Sequence, residues 1–208
     1  AVIFTALSLL WYFLYSRKRA RRKSAFVSMV EEVTAPELRV NEKELEAELL
    51  DILIERDEIV LDRFDRIIQQ SPVIDLNRPM TRDEVFSEIA GVVSERWDID
   101  RKKLEEKFRR REEEASTLVY PGVAVPHAIP HVIVEGENLF DIVLVRNRAG
   151  ISWNSEGETV KTVFALIGSA DERNFHLRAL MFIAQILQDP EFHDEWGKAR
   201  DEKELRSV

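Results

Sequence analysis

The chain contains no cysteine and only four histidines, and its 30 lysines and arginines are outnumbered by 39 aspartates and glutamates, giving a net charge of −9. Without cysteine, a disulfide framework and a thiolate metal site are both excluded. An acidic balance with only one short basic cluster argues against nucleic-acid binding. The 208 residues, 45% of them apolar, suffice for one domain of ordinary size with additional segments.

Charge is also missing from the first sixteen residues, AVIFTALSLLWYFLYS, which end in aromatic side chains and are followed at once by RKRARRK. A signal peptide carries its positive charge before the apolar run, not after it. Sixteen helical residues span about 24 Å, less than the roughly 30 Å hydrocarbon layer. We expect residues 1–16 to end a transmembrane helix of a longer protein of the cell membrane, with residues after about 17 on the cytoplasmic side. The alternative is a buried core helix followed by a solvated basic run.

Two segments separate this apolar run from the rest of the chain. We interpret residues 17–40 as a basic juxtamembrane connector, whose cluster is expected also to contact anionic headgroups. From Asn41, apolar residues recur at helical spacing among many charges, which predicts a long linker helix over 41–70 that ends at Ser71-Pro72. Two interpretations remain open: the helix pairs with a second copy of the chain, or it lies against the following domain.

Residues 71–208 have the pattern of one α/β domain. VIDLN at 73–77 predicts a short strand, and two helices follow, the first with a capping box at Thr81 and Glu84 and the second capped by Asp100. The segment 115–134 is rich in β-formers broken by Pro and Gly. Two buried strands are predicted at 140–146 and 160–168 with a polar turn region between them, then an amphipathic helix ending at Asp189-Pro190, and a last helix at the chain end. The predicted fold is a mixed β-sheet flanked by helices, preceded by the long helix and the truncated transmembrane helix.

The histidines are the candidate reactive residues, because an unperturbed pKa of about 6.5 lets a histidine act near neutrality as base, nucleophile or phosphate acceptor. His127 follows Pro126 in GVAVPHAIPH, where small residues leave room for a partner's backbone. His176 lies in the first turn of the amphipathic helix and points toward the domain body. Either could instead be a packing histidine. His131 could join them around zinc, but its segment cannot be helical through Pro130, so no metal or cofactor is expected. His193 is expected at the surface.

The segment REEEASTLVYPGVAVPHA (111–128) resembles the R-E-x3-S-T…G-x-A-x-P-H signature of type-2 enzyme IIA domains of the phosphoenolpyruvate-dependent sugar phosphotransferase system. FALIGSADERNFHLRALMFIAQILQD, further along, is similar to that family's strand, loop and histidine-bearing helix. Mannitol, fructose and nitrogen-regulatory IIA proteins belong to the family, whose fold is a mixed sheet flanked by helices. The resemblance covers about 70–208.

The resemblance implies a role for several positions. His127 corresponds to the phosphorylated histidine, which receives its phosphoryl group from the phosphocarrier protein HPr, and His176 to the second active-site histidine. Arg111 matches the polar part of the motif near the site. Ser116, Thr117 and Gly122 are expected to contact the phosphate or the partner. The sequence departs from the family after the histidine, where AIPHVIVEGE brings His131 into competition, but only His127 completes G-x-A-x-P-H.

Three functions are compatible with the sequence: an enzyme, a regulatory module and a structural segment. In the first, the domain is a phosphotransferase that takes a phosphoryl group on His127 and passes it onward. In the second, it is a regulatory module of a membrane transporter that senses phosphorylation or binds a ligand. LLWYFLYSRKR is similar to the last helix of an amino-acid or cation permease of the APC type. The apolar stub with its basic stop favours this second role, while the site residues favour the first as the chemistry, and the two are compatible. In the third, it is a structural or dimerising tail led by the 41–70 helix. The partners implied are HPr or a homologue, the chain's own transporter domain, the membrane and, in one interpretation, a second copy.

Overall fold

The computed structural model describes residues 58–128 and 139–208. The expected transmembrane segment, the basic connector, the first part of the predicted linker helix and His131 lie outside the described residues. Within the two described ranges, none of the helices combines the length and the apolar character that a bilayer crossing requires.

Six α-helices and seven strands make up the described part of the chain. The helices are α1 Glu58–Gln70, α2 Arg82–Trp97, α3 Arg101–Glu114, α4 Arg173–Ile186, α5 Pro190–Lys198 and α6 Glu202–Ser207, with a 3-10 turn at Ala170–Glu172 just before α4. The strands are β1 Val73–Leu76, β2 Met80–Thr81, β3 Leu118–Tyr120, β4 Val123–Ala124, β5 His127–Ala128, β6 Phe140–Ser152 and β7 Thr159–Gly168.

The strands form one mixed sheet in the order β1-β6-β7-β4-β3. The two long strands β6 and β7 pair antiparallel at its centre. β1 and β2 run parallel to β6, while β4 and β5 run parallel to β7. The short strand β5, which carries His127, is therefore held by β7 beyond the end of β4. This confirms the predicted mixed sheet.

Each face of the sheet is buried under helices because side chains alternate along the central strands. On one face, Ile142, Leu144 and Phe164 belong to a core that includes residues of α1, α4, α5 and α6. On the other face, Val143 and Val163 pack in a second core with residues of α2 and α3. Both central strands are thus buried on two sides, which explains their almost continuous apolar sequences.

Side-chain caps begin several of the helices, and those at Thr81 and Asp100 confirm the prediction. Thr81 and Glu84 make the reciprocal capping box of α2. The Asp100 side chain accepts a hydrogen bond from the backbone N–H of Lys103 at the start of α3. Asp201 caps α6 in the same way. These caps satisfy backbone N–H groups that lack partners within the helix.

Two parts of the fold differ from the sequence prediction. The segment predicted as a polar turn begins as strand, since β6 continues to Ser152 through a register shift between Arg146 and Ile151, with Gly150 at φ 95°. Asp189-Pro190 was expected only to end a helix, but it also starts α5, with Asp189 as N-cap and Pro190 in the first turn. Proline is tolerated there because the first N–H groups of a helix have no intrahelical partner.

The described end of the predicted linker helix packs on the domain. Phe64 of α1 is 4% exposed and belongs to the first core, with its ring 5.2 Å from that of Phe182 on α4. Arg63 pairs with Glu172 at 2.9 Å and lies over the Phe175 ring. For residues 58–70, the structure therefore agrees with the interpretation in which the helix lies against the following domain.

Candidate active site

His127 and His176 meet at the end of the sheet. β5 runs beside β7 with His127 opposite Leu166, so its side chain points to the face that α4 covers. His176 is on the first turn of α4, and the two imidazole rings lie edge to face with centroids 5.2 Å apart. The two histidines are 1% and 2% exposed, respectively. Their convergence agrees with the sequence expectation, but both rings are enclosed.

Arg111 joins the pair from the last turn of α3. Its Nε donates a hydrogen bond to Nε2 of His127 over 3.0 Å, and its Nη1 donates to the Ala115 carbonyl over 2.9 Å. The guanidinium is itself buried. The planar guanidinium group is thereby held in one orientation between the end of its own helix and the histidine.

These contacts define the tautomer of His127. A guanidinium has only donors, so Nε2 accepts and carries the lone pair. The proton then lies on Nδ1, which is 3.2 Å from the carbonyl oxygen of Val125 and donates to it. The ring presents Nε2 as its nucleophilic nitrogen.

Electrostatics keep both imidazoles neutral. Burial lowers the pKa of His127 well below its ordinary value, and repulsion of its protonated form by His176, once that ring is also protonated, and by the Arg111 guanidinium lowers it further. Burial, followed by the charge of Arg111, lowers the pKa of His176 to about 3. A neutral imidazole is the form that can act as a nucleophile or accept a phosphoryl group.

His176 has unused hydrogen-bonding capacity. Within the described residues, neither of its ring nitrogens has a hydrogen-bond partner. Phe140 flanks it, with ring centroids 5.8 Å apart. A buried polar group without a partner is costly, and functional sites are one place where such a group is retained. An oxygen atom placed between the two histidines would supply the missing acceptor.

Ser116 and Thr117 bind a neighbouring carboxylate in this structure. The backbone N–H and hydroxyl of Thr117 both donate to the carboxylate of Glu112, and the Ser116 hydroxyl lies 3.3 Å from its Oε1. The prediction that they contact the phosphate or the partner stays a prediction. Glu112 was not recognised as a site residue, although it is the second residue of the R-E-x3-S-T motif.

Gly122 is placed away from the histidines. It has φ 78°, and its carbonyl accepts hydrogen bonds from the backbone N–H groups of Lys161 and Thr162. His127 pairs four residues further along β7, at Leu166, which corresponds to about 13 Å of strand. The remaining histidine that the structure describes, His193, is half-buried, stacked on Tyr120 with Nε2 2.9 Å from the Leu187 carbonyl.

Residues 67–208 match the sequence profile of the family described as "Phosphoenolpyruvate-dependent sugar phosphotransferase system, EIIA 2". The chain belongs to this family. EIIA domains of this type are phosphotransferases in sugar transport. The match begins at Ile67, so it includes the C-terminal end of α1.

Three proteins illustrate the relationship of this EIIA type-2 chain to its relatives. It is 26% identical over 129 residues to a nitrogen regulatory protein of Bradyrhizobium diazoefficiens, covering 62% of this chain and 82% of that protein. It is 25% identical over 129 residues to the fructose-specific EIIABC component of Bacillus subtilis, covering 61% of this chain and 20% of that protein. In structure it is similar to the nitrogen regulatory protein IIA-Ntr of Neisseria meningitidis, with a TM-score of 0.59, 18% identity and coverage of 69% and 96% of the two chains.

Proposed function

We propose that this EIIA type-2 domain accepts a phosphoryl group on Nε2 of His127 from a phosphocarrier protein, HPr or a homologue. The observation that carries the proposal is the hydrogen bond from Arg111 Nε to His127 Nε2. It leaves the lone pair on the nitrogen beside the buried guanidinium and His176. A cation and a second imidazole are therefore close to the place where phosphoryl oxygens would lie.

In the transfer step, the Nε2–phosphorus bond forms while the bond between phosphorus and the donor atom breaks, and that electron pair stays on the donor. The proton on Nδ1 remains on His127, held by the carbonyl of Val125. The positive charge that develops on the ring is balanced by the phosphoryl oxygens. No side chain has to remove a proton, so positioning and electrostatic stabilisation supply the catalysis.

Arg111 and His176 have separate roles in this step. The Arg111 Nε–H occupies the Nε2 lone pair in the structure, so the guanidinium must leave that nitrogen before phosphorus can bind. Its donors then bind the phosphoryl oxygens, and the N–H of His176 supplies a further donor. Since His127 is 1% exposed, docking of the phosphocarrier has to be accompanied by movement that uncovers Nε2.

We further propose that phosphorylation regulates or energises a membrane transporter to which the domain is attached on the cytoplasmic side. The uncharged residues 1–16 followed directly by the RKRARRK cluster support this attachment. A phosphoryl group adds about −1.5 to −2 charges, enough to change how the domain packs on a neighbour. Membrane fractionation of the full-length protein, with protease accessibility of the IIA domain, tests attachment and side.

Phosphorylation is tested by incubating the chain with phosphoenolpyruvate, enzyme I and HPr. We expect an acid-labile phosphate that is lost in His127→Ala and retained in His131→Ala, the matched control from the same segment. If no cognate phosphocarrier transfers phosphate, the domain is instead a non-catalytic ligand-binding or dimerisation module of its transporter. Retention of the phosphate in His127→Ala would place the acceptor elsewhere.

A further inference from the structure

A closed ring of hydrogen bonds connects the two neighbouring residues Arg111 and Glu112 through the histidine. Arg111 Nε donates to His127 Nε2 over 3.0 Å, and His127 Nδ1 donates to the Val125 carbonyl over 3.2 Å. The Val125 N–H donates to the Thr117 carbonyl over 2.8 Å. The Thr117 N–H and hydroxyl donate to the Glu112 carboxylate. The covalent chain between Glu112 and Arg111 closes the ring.

The Glu112 carboxylate accepts hydrogen bonds from several donors. It is 8% exposed, and its Oε1 also accepts a hydrogen bond from Trp153 Nε1 over 2.9 Å and one from the Ser116 hydroxyl over 3.3 Å. Hydrogen bonds to a carboxylate are stronger than those between neutral groups. The carboxylate thus fixes the turn after α3 on one side, while Arg111 Nη1 holds the Ala115 carbonyl on the other.

This arrangement has a direct consequence for His127. The acceptor of its Nδ1 proton, the Val125 carbonyl, is held in place because the N–H of the same residue is bonded to the Thr117 carbonyl. Thr117 in turn is held by Glu112. If the hydrogen bonds between Thr117 and Glu112 are lost, the Val125 carbonyl is no longer held in place. The Nδ1–H tautomer of His127 and the orientation of its Nε2 are then less well defined.

Building on the phosphorylation proposed above for His127, we propose that Glu112 is a positioning residue for phosphoryl transfer. It acts through Thr117 and Val125 to keep the proton on Nδ1, and through the adjoining turn of α3 to keep Arg111 against Nε2. Ser116 and Thr117, which the motif places near the site, serve in this proposal as its hydrogen-bond donors. Glu112 itself does not touch the phosphoryl group.

The test is Glu112→Gln in the full chain, with two readouts. An amide keeps the size of the side chain but replaces one acceptor oxygen by an NH₂ group, which faces the donors of Thr117 or Trp153. We expect the maximal rate of phosphorylation to fall on the order of 10- to 100-fold with the KM for the phosphocarrier unchanged, since the surface that it contacts is not altered. In the unphosphorylated protein, ¹⁵N NMR should show His127 changing from one Nδ1–H tautomer to a mixture.

Two variants separate positioning from loss of stability. Glu113→Gln, at the exposed neighbouring position, should change neither readout. Trp153→Phe removes one donor to Glu112 but leaves every member of the ring, so it should lower stability while keeping both the tautomer and the rate. If Glu112→Gln does not fold, Thr117→Val, which replaces the hydroxyl by a methyl group and keeps the backbone N–H, is expected to lower the rate about 3- to 10-fold with the same tautomer change.

A single Nδ1–H tautomer and an unchanged rate in the folded Glu112→Gln protein would overturn the positioning role. A loss of rate in Trp153→Phe equal to that in Glu112→Gln, measured under conditions in which the two variants are equally stable, would also overturn it. Failure of the wild type to take up phosphate contradicts the proposed function instead. The tautomer measurement, which needs no phosphocarrier, still decides whether Glu112 controls His127 in that case.

Discussion

The rings of His127 and His176 lie edge to face at 5.2 Å, and both are almost completely removed from solvent. Two imidazoles this close are compatible only when at least one is neutral, since a second positive charge would be repelled in a medium of low dielectric. Burial keeps both rings neutral in the folded chain, whereas the unfolded chain would protonate them at mildly acidic pH. This has a measurable effect on stability.

Stability should fall on acidification, and His176 should account for part of the loss. Its pKa is lowered by burial to about 3, below the ordinary 6.5, so between these values the unfolded chain binds a proton that the folded chain does not. The contribution is complete above about pH 6.5 and declines toward pH 3. From about pH 7.5 to pH 5, His176 alone should cost about 2 kcal/mol of unfolding free energy.

Urea unfolding of the wild type and His176→Gln at the two pH values measures this contribution. The variant should lose less stability on acidification, by about 2 kcal/mol. His193→Gln is the matched control, because it leaves both buried rings in place. Equal pH dependence of the wild type and His176→Gln would contradict a buried neutral His176.

The rate of phosphorylation should fall even when Arg111 is replaced by lysine, which keeps the positive charge. A lysine ammonium cannot bond to His127 Nε2 and the Ala115 carbonyl through one planar fork. We expect Arg111→Lys to lower the rate of phosphorylation by about 10²-fold, and Arg111→Ala by about 10²- to 10³-fold. Arg110→Lys, an exposed neighbour paired with Glu114, serves as the control and should leave the rate unchanged. A wild-type rate in Arg111→Lys would exclude the bidentate role.

The short strand β1 is attached through a buried cation. Arg146 is 3% exposed and binds both oxygens of Asp75 at 3.0 and 2.7 Å, while its Nη1 donates to the carbonyls of Trp196 and Ala199. Its hydrogen bond to Asp75 also lowers the pKa of that carboxyl. Arg146→Met removes the buried donor of these four hydrogen bonds and should cost about 3–5 kcal/mol of unfolding free energy.

The neighbouring Arg148 offers a matched comparison for that loss. It also contacts Asp75, at 3.2 Å, but its side chain is 43% exposed. Arg148→Met should cost no more than about 1 kcal/mol, because solvent screens exposed ion pairs. Denaturant unfolding of both variants checks the difference, and equal losses would contradict the structural role of the buried guanidinium.

Helix α1 should behave as part of the domain. Phe64 is buried in the first core against Phe182, so Phe64→Ala is expected to cost about 3–5 kcal/mol. Asp65→Ala, on the exposed side of the same helix, should stay within about 0.5 kcal/mol. Wild-type stability in Phe64→Ala would mean that α1 is only a connector, as a domain boundary at residue 71 implies.

Much of the fold and of the histidine cluster could be predicted from the sequence because the signals are local. Apolar runs predict β6 and β7, side-chain caps predict the starts of α2 and α3, and the motif places Arg111 near His127. The extension of β6 past Arg146 could not be predicted, since the apolar run ends there and the pairing with β7 shifts its register between Arg146 and Ile151. Nor could α5, because Asp-Pro is typical both of a helix end and of a helix start.

Which residues meet at the site could be predicted from the sequence, but their burial and hydrogen-bond partners could not. Small residues around His127 indicated an open approach, whereas the ring is buried and contacts Arg111 of α3 and His176 of α4. Ser116 and Thr117 were expected to face a phosphate, whereas they donate to Glu112. Which partner a hydroxyl selects depends on the tertiary placement of Trp153 and α3, and the sequence around the motif carries no signal for that placement.

Transfer to Nε2 of His127 can be checked by locating the phosphoryl group on the ring. ¹⁵N NMR of the phosphorylated chain distinguishes the two nitrogens of His127. The structure predicts phosphate on Nε2, with the proton retained on Nδ1 beside the Val125 carbonyl. Phosphate on Nδ1, or on a residue other than His127, would contradict this account.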